Sequence, residues 1–117
     1  MKIGVLVLEG PYQHEAPDTA YHFVKAALAR GHEITGVFLY TDGVNNANRN
    51  VNPPGERNLA EMYAELASLG VEVVPCSACA RFRGLGRDML IEGVKLAGLG
   101  ALVELLRQSD RFVTFGD

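Results

Sequence analysis

The sequence predicts an α/β protein with three layers, in which helices cover both faces of a five-stranded, largely parallel sheet. Residues 3–8, IGVLVL, form a continuous apolar run, which is typical of a strand covered on both faces. Strand-like and helix-like segments then alternate along the chain, and this alternation favours βαβ units. The chain has 117 residues, of which 48% are hydrophobic, as in a globular domain. We therefore expect a single domain over residues 1–117.

The first predicted helix lies between the strand at 3–8 and a second strand at 33–40. Pro17 is acceptable in its first turn, and Gly31 suits its end. Its apolar residues recur at the spacing of one face of an amphipathic helix. They are Ala20, Phe23, Val24, Ala27 and Leu28.

The second predicted helix follows Asn58, which suits its N-cap, with Glu61 three residues later. Gly70 suits its end, and a third strand is predicted over 71–76. The apolar residues of this helix again lie on one face. They are Leu59, Met62, Tyr63 and Leu66.

The last third of the chain predicts two more strands, a short one at 93–98 and another at 111–116, with a helix between them. We assign the core face of this helix to one apolar stripe, which consists of Leu99, Leu102, Val103 and Leu106. Ala101 and Leu105 then fall outside the stripe and leave apolar surface uncovered. Such surface commonly marks a partner site, although a single exposed leucine is ordinary.

A long loop is predicted over 41–57, after the second strand. It contains five Asn, two Pro and two Gly. It follows the C-terminal end of a parallel strand, where open α/β sheets bind ligands. Loops of this length are often functional, but a surface excursion with one helical turn near 43–48 explains the sequence equally well.

The two cysteines of the chain, Cys76 and Cys79, lie at the end of the third predicted strand. If a helix starts after Cys76, its unpaired N–H groups and dipole favour a thiolate there, and three following arginines add positive charge. These arginines are Arg81, Arg83 and Arg87. The position and surroundings of Cys76 therefore point to a reactive thiol. Two buried structural thiols are the alternative, because free cysteine is often buried.

Other chemistries fit the cysteines less well. A structural zinc site needs four ligands, and the chain offers one C-x-x-C, so we expect no metal. A thiol–disulfide oxidoreductase using Cys76 and Cys79 stays open, although thioredoxin-like pairs follow an early strand. His14 is the one histidine in a loop after a strand, and hence the one that could reach Cys76.

Several segments resemble the DsrE/TusD-like subunits of sulfur-relay complexes, within the DsrE/DsrF-like family. They are EGPYQHEAPDTAYHFVKAALARGHEI at 9–34, VFLYTDGVNNAN at 37–48, a cysteine followed by RG at 76–84, and LAGLGALVELLRQSDRFVTFGD at 96–117. The match runs over nearly the whole chain in one order. It implies an α/β subunit with a five-stranded, largely parallel sheet.

The resemblance also implies a sulfurtransferase that needs no cofactor. Cys76 aligns with the cysteine that accepts sulfur as a persulfide and passes it to a small DsrC/TusE-like carrier. The product is used in sulfur oxidation or in tRNA thiolation. The implied partners are two related subunits, DsrF/DsrH-like or TusC/TusB-like, in an oligomer. A non-catalytic binding subunit is the alternative from another class.

Two features depart from the family pattern. Cys79 stands where the family usually has alanine, and the segment between Gly84 and Gly98 looks shorter than expected. As an auxiliary thiol, Cys79 could convert a persulfide on Cys76 into a disulfide. A shorter segment could alter access to Cys76 or the contacts with partner subunits.

Charge and hydropathy exclude other classes of partner. A net charge of −3 argues against direct binding of nucleic acid, which requires a basic face. No apolar run approaches the roughly 18 residues that span a bilayer, and the N-terminus lacks a signal-peptide pattern. We therefore expect a cytoplasmic protein whose thiols stay reduced.

Overall fold

The computed structural model describes residues 1–117. The four strands are β1 Lys2–Val7, β2 Glu33–Leu39, β3 Val73–Pro75 and β4 Arg111–Phe115. The four α-helices are α1 Ala16–Ala29, α2 Leu59–Ser68, α3 Ser77–Phe82 and α4 Leu99–Gln108, and two short 3₁₀ helices span Thr41–Ala47 and Arg87–Met89. None of the helices combines the length and the apolar character needed to cross a membrane.

The strands form one parallel sheet with the order β3-β2-β1-β4. The predicted α/β class with a parallel sheet is therefore confirmed. All four strands run in one direction, so their C-terminal ends meet at one edge of the sheet, where Cys76 follows β3 directly.

The prediction of five strands is wrong, because residues 93–98 do not form a regular strand. This segment runs beside β3, and the N–H groups of Lys95 and Ala97 donate to Val73 O and Pro75 O at 3.1 and 3.2 Å. Only the bridge between Cys76 and Ala97 is strand-like. β3 has three residues, so its edge offers too few backbone groups for a longer ladder.

Helices lie on both faces of the sheet. α1 and α2 pack against each other on the face reached by the crossovers from β1 to β2 and from β2 to β3. The connection from β3 to β4 runs in the opposite direction across the sheet, and α4 packs on β1 and β2 from the other face. The predicted cap of α2 is present, since Asn58 Oδ1 accepts the N–H of Glu61 at 3.0 Å.

The predicted core face of α4 is wrong, because the helix is rotated about its axis. Leu105, placed outside the stripe, is 5% exposed and lies against Gly36 of β2. Three members of the predicted stripe face outward instead, with Leu99 50%, Val103 62% and Leu106 45% exposed. A Cβ on Gly36 would lie 2.7 Å from Leu105 Cδ2, so the missing side chain makes room for the leucine. An uncovered apolar surface does exist on α4, but it consists of different residues from those expected.

The first part of the 41–57 loop is not a surface excursion. Residues Thr41–Ala47 form a 3₁₀ helix that buries Val44, Asn46 and Ala47 completely. It packs against β2, α2 and α3. The helical turn expected near 43–48 is present, and it forms part of the core beside the cysteines.

Replacing Leu105 by Ala is expected to lower the free energy of unfolding by about 2–5 kcal/mol, because the leucine is buried and leaves a cavity over Gly36. Val103→Ala, on the exposed side of the same helix, is the matched control, with an expected change within about 0.5 kcal/mol. Urea denaturation followed by circular dichroism measures both. Equal destabilisation by the two variants would contradict the observed rotation of α4.

Candidate functional site

Cys76 occupies the position that the sequence predicted, at the C-terminal end of β3 and at the N-cap of α3. It is 2% exposed, and its N–H donates to Leu39 O at 2.9 Å, which fixes it to the end of β2. The N–H of Ser77 is already bonded to Ala97 O at 2.9 Å. The other N–H groups in the first turn of α3 have no partner within the helix. They therefore place partial positive charge next to Cys76.

Cys79 lies one helical turn further along and is 8% exposed, so its side chain points inward as expected. Its Sγ accepts the N–H of Thr41 at 3.3 Å. Neither cysteine is in a disulfide. The structure thus brings together two reduced thiols against the end of β2.

Burial is the main cause that raises the pKa of the Cys79 thiol above its ordinary value, followed by the interaction with the neighbouring Cys76 side chain. The Thr41 N–H and the positive charge of Arg83 lower it, but by less. The thiolate is the nucleophilic form. Cys79 is therefore mostly protonated at neutral pH.

Thr41 forms the wall of the site, a role that the sequence did not reveal. Its φ of 51° is unusual for a β-branched residue. Its Oγ1 hydrogen-bonds the carbonyl oxygens of Leu8 and Tyr40, both at 2.7 Å. These bonds hold the strained backbone so that the Thr41 N–H points at Cys79. Strain of this kind persists where the surrounding structure fixes it, often at functional sites.

The three arginines do not act as one positive cluster. Arg83 donates to Asp42 Oδ1 at 2.7 Å and to Cys79 O at 3.0 Å, which ties the end of α3 to the 3₁₀ helix. Arg81 and Arg87 are exposed at the surface, and so is Phe82, the last residue of α3. The expected positive charge near the thiols is therefore supplied by Arg83, and Asp42 partly neutralises it.

A second feature of the same sheet edge is a cleft of about 350 Å³ beside Thr41. Glu9 lies in its wall, and the Oε1 atom of Glu9 is buried without a hydrogen-bond partner. His14 Nδ1 is 3.4 Å from this oxygen. No hydrogen bond joins His14 to either cysteine, so the structure does not support His14 as a partner of Cys76. The structure also contains no group of three His, Cys, Asp or Glu side chains that could hold a metal ion.

The chain is similar to proteins that are named sulfurtransferases. The chain is 45% identical to a protein named as the sulfurtransferase DsrE of Allochromatium vinosum, over 130 aligned positions that cover all of both chains. It is 37% identical to the sulfurtransferase TusD of Serratia proteamaculans, over 94% of this chain and 96% of that relative. The alignment with DsrE has more positions than this chain has residues, so it places gaps in this chain.

The fold is also shared with solved structures. The crystal structure of the ychN protein from E. coli matches with a TM-score of 0.90 at 26% identity and covers 98% of this chain and 99% of that chain. The DsrE/DsrF-like family matches residues 1–115. As its sequence motifs predicted, the chain therefore belongs to the DsrE/DsrF-like family.

Proposed function

We propose that this protein accepts sulfur as a persulfide on Cys76 and passes it to a small carrier protein that ends in a cysteine. The chain is a sulfurtransferase of a sulfur relay, the class to which its named relatives belong. The observation that carries the proposal is the place of Cys76, which ends β3 and caps α3 at the C-terminal edge of a parallel sheet. Ligand sites of open α/β sheets lie at this edge.

The proposed reaction requires only thiol chemistry. The Cys76 thiolate attacks the terminal sulfur of a donor persulfide, a new sulfur–sulfur bond forms, and the donor leaves as a thiolate. The carrier's cysteine then attacks the outer sulfur in the same way and restores the Cys76 thiolate. The N–H groups at the start of α3 stabilise the negative charge on Cys76 before and after transfer.

Access to Cys76 is limited in the isolated chain, since its side chain is almost fully buried. The surface beside it is formed by α3, which exposes Phe82 and Arg81. We propose that the carrier docks on this face, because an aromatic ring and an arginine are typical anchors at protein interfaces. Docking there displaces the side chains that cover the thiol.

A thiol–disulfide oxidoreductase remains the second candidate function. The observation in its favour is that two reduced and nearly buried thiols lie one helical turn apart, at the N-cap and in the first turn of α3. A non-catalytic subunit with two structural thiols is the remaining alternative. Separate replacement of the cysteines distinguishes all three.

Loading of sulfur is expected to require Cys76 and not Cys79. After incubation with a persulfide donor, intact-mass spectrometry is expected to show one added sulfur on the wild type and on Cys79→Ala. Cys76→Ser, which preserves the size of the side chain, is expected to gain none. Equal loading of Cys76→Ser would refute the proposal, and loss of loading in a folded Cys79→Ala would favour the oxidoreductase.

When Cys79 is the one remaining cysteine, the pH at which its thiol becomes reactive is expected to be higher in the folded chain than in the unfolded chain. In Cys76→Ser, burial still raises the pKa of the Cys79 thiol, so its thiolate forms only at higher pH than in the unfolded chain. Alkylation rates with iodoacetamide, measured across a pH series with and without urea, test this. A folded midpoint at or below the unfolded one would show that Cys79 is an activated thiol.

We further propose that the protein works as an oligomer, alone or with two related DsrF/DsrH-like (TusC/TusB-like) subunits. Leu99, Val103 and Leu106 expose a continuous apolar stripe on α4, and such a stripe favours a protein partner.

We place this assembly in the cytoplasm, where free thiols stay reduced. One continuous core of 27 buried residues supports treating residues 1–117 as one domain.

Charge on the α4 stripe is expected to weaken assembly. Val103→Glu places a carboxylate in the middle of the stripe and is expected to raise the dissociation constant by about tenfold or more, because burying an unpaired charge is costly. Gln108→Glu adds the same charge elsewhere on α4 and serves as the control. Light scattering at low micromolar concentration measures both. A monomeric wild type that does not change when sister subunits are added would contradict the assembly proposal.

A further inference from the structure

We infer that Cys79 discharges the persulfide on Cys76 as hydrogen sulfide and forms an intrachain disulfide when no carrier takes the sulfur. This inference rests on the proposed loading of Cys76. It assigns a second activity to the protein, the reductive release of sulfide from a persulfide.

Both cysteines are tied to one short stretch of backbone at the end of β2. Cys76 is fixed by its N–H bond to Leu39 O at 2.9 Å, and Cys79 Sγ is fixed by the N–H of Thr41 at 3.3 Å. Leu39 and Thr41 are two residues apart at the end of β2. Both cysteines are therefore tied to the same edge of the sheet, one through its backbone and the other through its sulfur.

Their spacing also suits a disulfide. Residues three apart on a helix have Cβ atoms roughly 5–6 Å apart, and a disulfide needs roughly 3.5–4.5 Å. Cys76 is the N-cap, with an extended ψ of 123°, so it lies outside the regular helix and the helical spacing does not set its distance from Cys79. A C-x-x-C pair at the start of a helix is the arrangement of thiol–disulfide proteins.

The reaction balances without an outside oxidant. The Cys79 sulfur attacks the inner sulfur of the Cys76 persulfide, a bond between the two cysteine sulfurs forms, and the bond to the outer sulfur breaks. The outer sulfur leaves as hydrosulfide and takes up the Cys79 proton. The outer sulfur is reduced, the Cys79 sulfur is oxidised, and a dithiol reductant from solution restores both thiols.

The enclosure of the pair favours this step over reaction with other thiols. Both cysteines are nearly buried, so an external thiol reaches the inner sulfur poorly. A neighbouring group in the same site reacts with a high effective concentration. The N–H of Thr41, held in place by the two bonds of its Oγ1, stabilises negative charge on Cys79 as it attacks.

The protonation of Cys79 explains why loading of Cys76 precedes attack by Cys79. Burial keeps its thiol mostly protonated while Cys76 reacts with the donor, which agrees with the raised pKa of Cys79. Loading is therefore not intercepted at once. The lifetime of the persulfide is set by competition between the carrier and Cys79.

The test follows the loss of one bound sulfur from each loaded chain in the absence of a carrier protein. Wild type, Cys79→Ser and Cys76→Ser are loaded with glutathione persulfide, desalted rapidly into thiol-free buffer and sampled over time. Intact mass and sulfide trapping by monobromobimane are recorded together. The wild-type persulfide is expected to decay to a chain lighter than the reduced form by two hydrogens, with one sulfide released for each loaded chain. The persulfide of Cys79→Ser is expected to last at least about tenfold longer, because intramolecular attack is lost.

Peptide mapping of the discharged wild type must place the disulfide between Cys76 and Cys79, a result that does not depend on any variant. A wild-type persulfide as long-lived as that of Cys79→Ser would overturn the inference and leave the proposed function intact. Sulfide release with disulfide-linked dimers instead of an intrachain bond would also overturn it. Absence of added sulfur from both wild type and Cys79→Ser would instead refute the proposed function, and this inference with it.

Discussion

Two glycines that lie side by side in neighbouring strands determine how closely the last third of the chain approaches the sheet. Gly4 of β1 pairs with Gly36 of β2 at the centre of the sheet. A Cβ on Gly4 would lie 2.5 Å from the Phe112 ring, and one on Gly36 would lie 2.7 Å from Leu105. Real Cβ atoms do not tolerate such distances, so both glycines are needed for α4 and β4 to pack here. The position of Leu105 over Gly36 sets the rotation of α4, and this rotation decides which of its leucines are exposed.

This constraint explains where reasoning from sequence succeeded and where it failed. The strands at β1, β2 and β4 and the apolar faces of α1 and α2 were predictable, because their burial follows a regular period. The face of α4 was not, since apolar residues cover most of its circumference and the period alone does not select Leu105. Only the matching gap over Gly36 selects it, and a missing side chain leaves no trace in a hydropathy pattern. The fifth strand failed for a related reason, because the short edge of β3 limits the pairing of residues 93–98.

The residues of the candidate site were likewise predictable only in part. Cys76 was predictable because it directly follows an apolar run, and Cys79 because three residues place it one helical turn later. Thr41 was not predictable. It contacts Cys79 across 38 positions of sequence, and its left-handed backbone is unusual for its residue type. The buried carboxylate oxygen of Glu9, which has no hydrogen-bond partner, was also missed, since its burial depends on the packing of the loops around it. Chemistry-bearing side chains near strand ends can thus be found from sequence, whereas the backbone groups that orient them depend on tertiary contacts.

The surface proposed for assembly and the surface proposed for carrier docking lie on different parts of the molecule. The exposed stripe of α4 lies on one face of the sheet, whereas Cys76 lies at its C-terminal edge. A partner on α4 therefore does not compete with a carrier at α3 for the same residues. The two regions are nevertheless joined, because α4 begins two residues after Ala97, whose carbonyl oxygen accepts the first N–H of α3 at 2.9 Å. A partner that fixes the start of α4 also fixes this carbonyl group, and with it the helix start that faces Cys76. The proposed assembly surface and the proposed sulfur-accepting thiol thus share one backbone connection, although they lie on different surfaces.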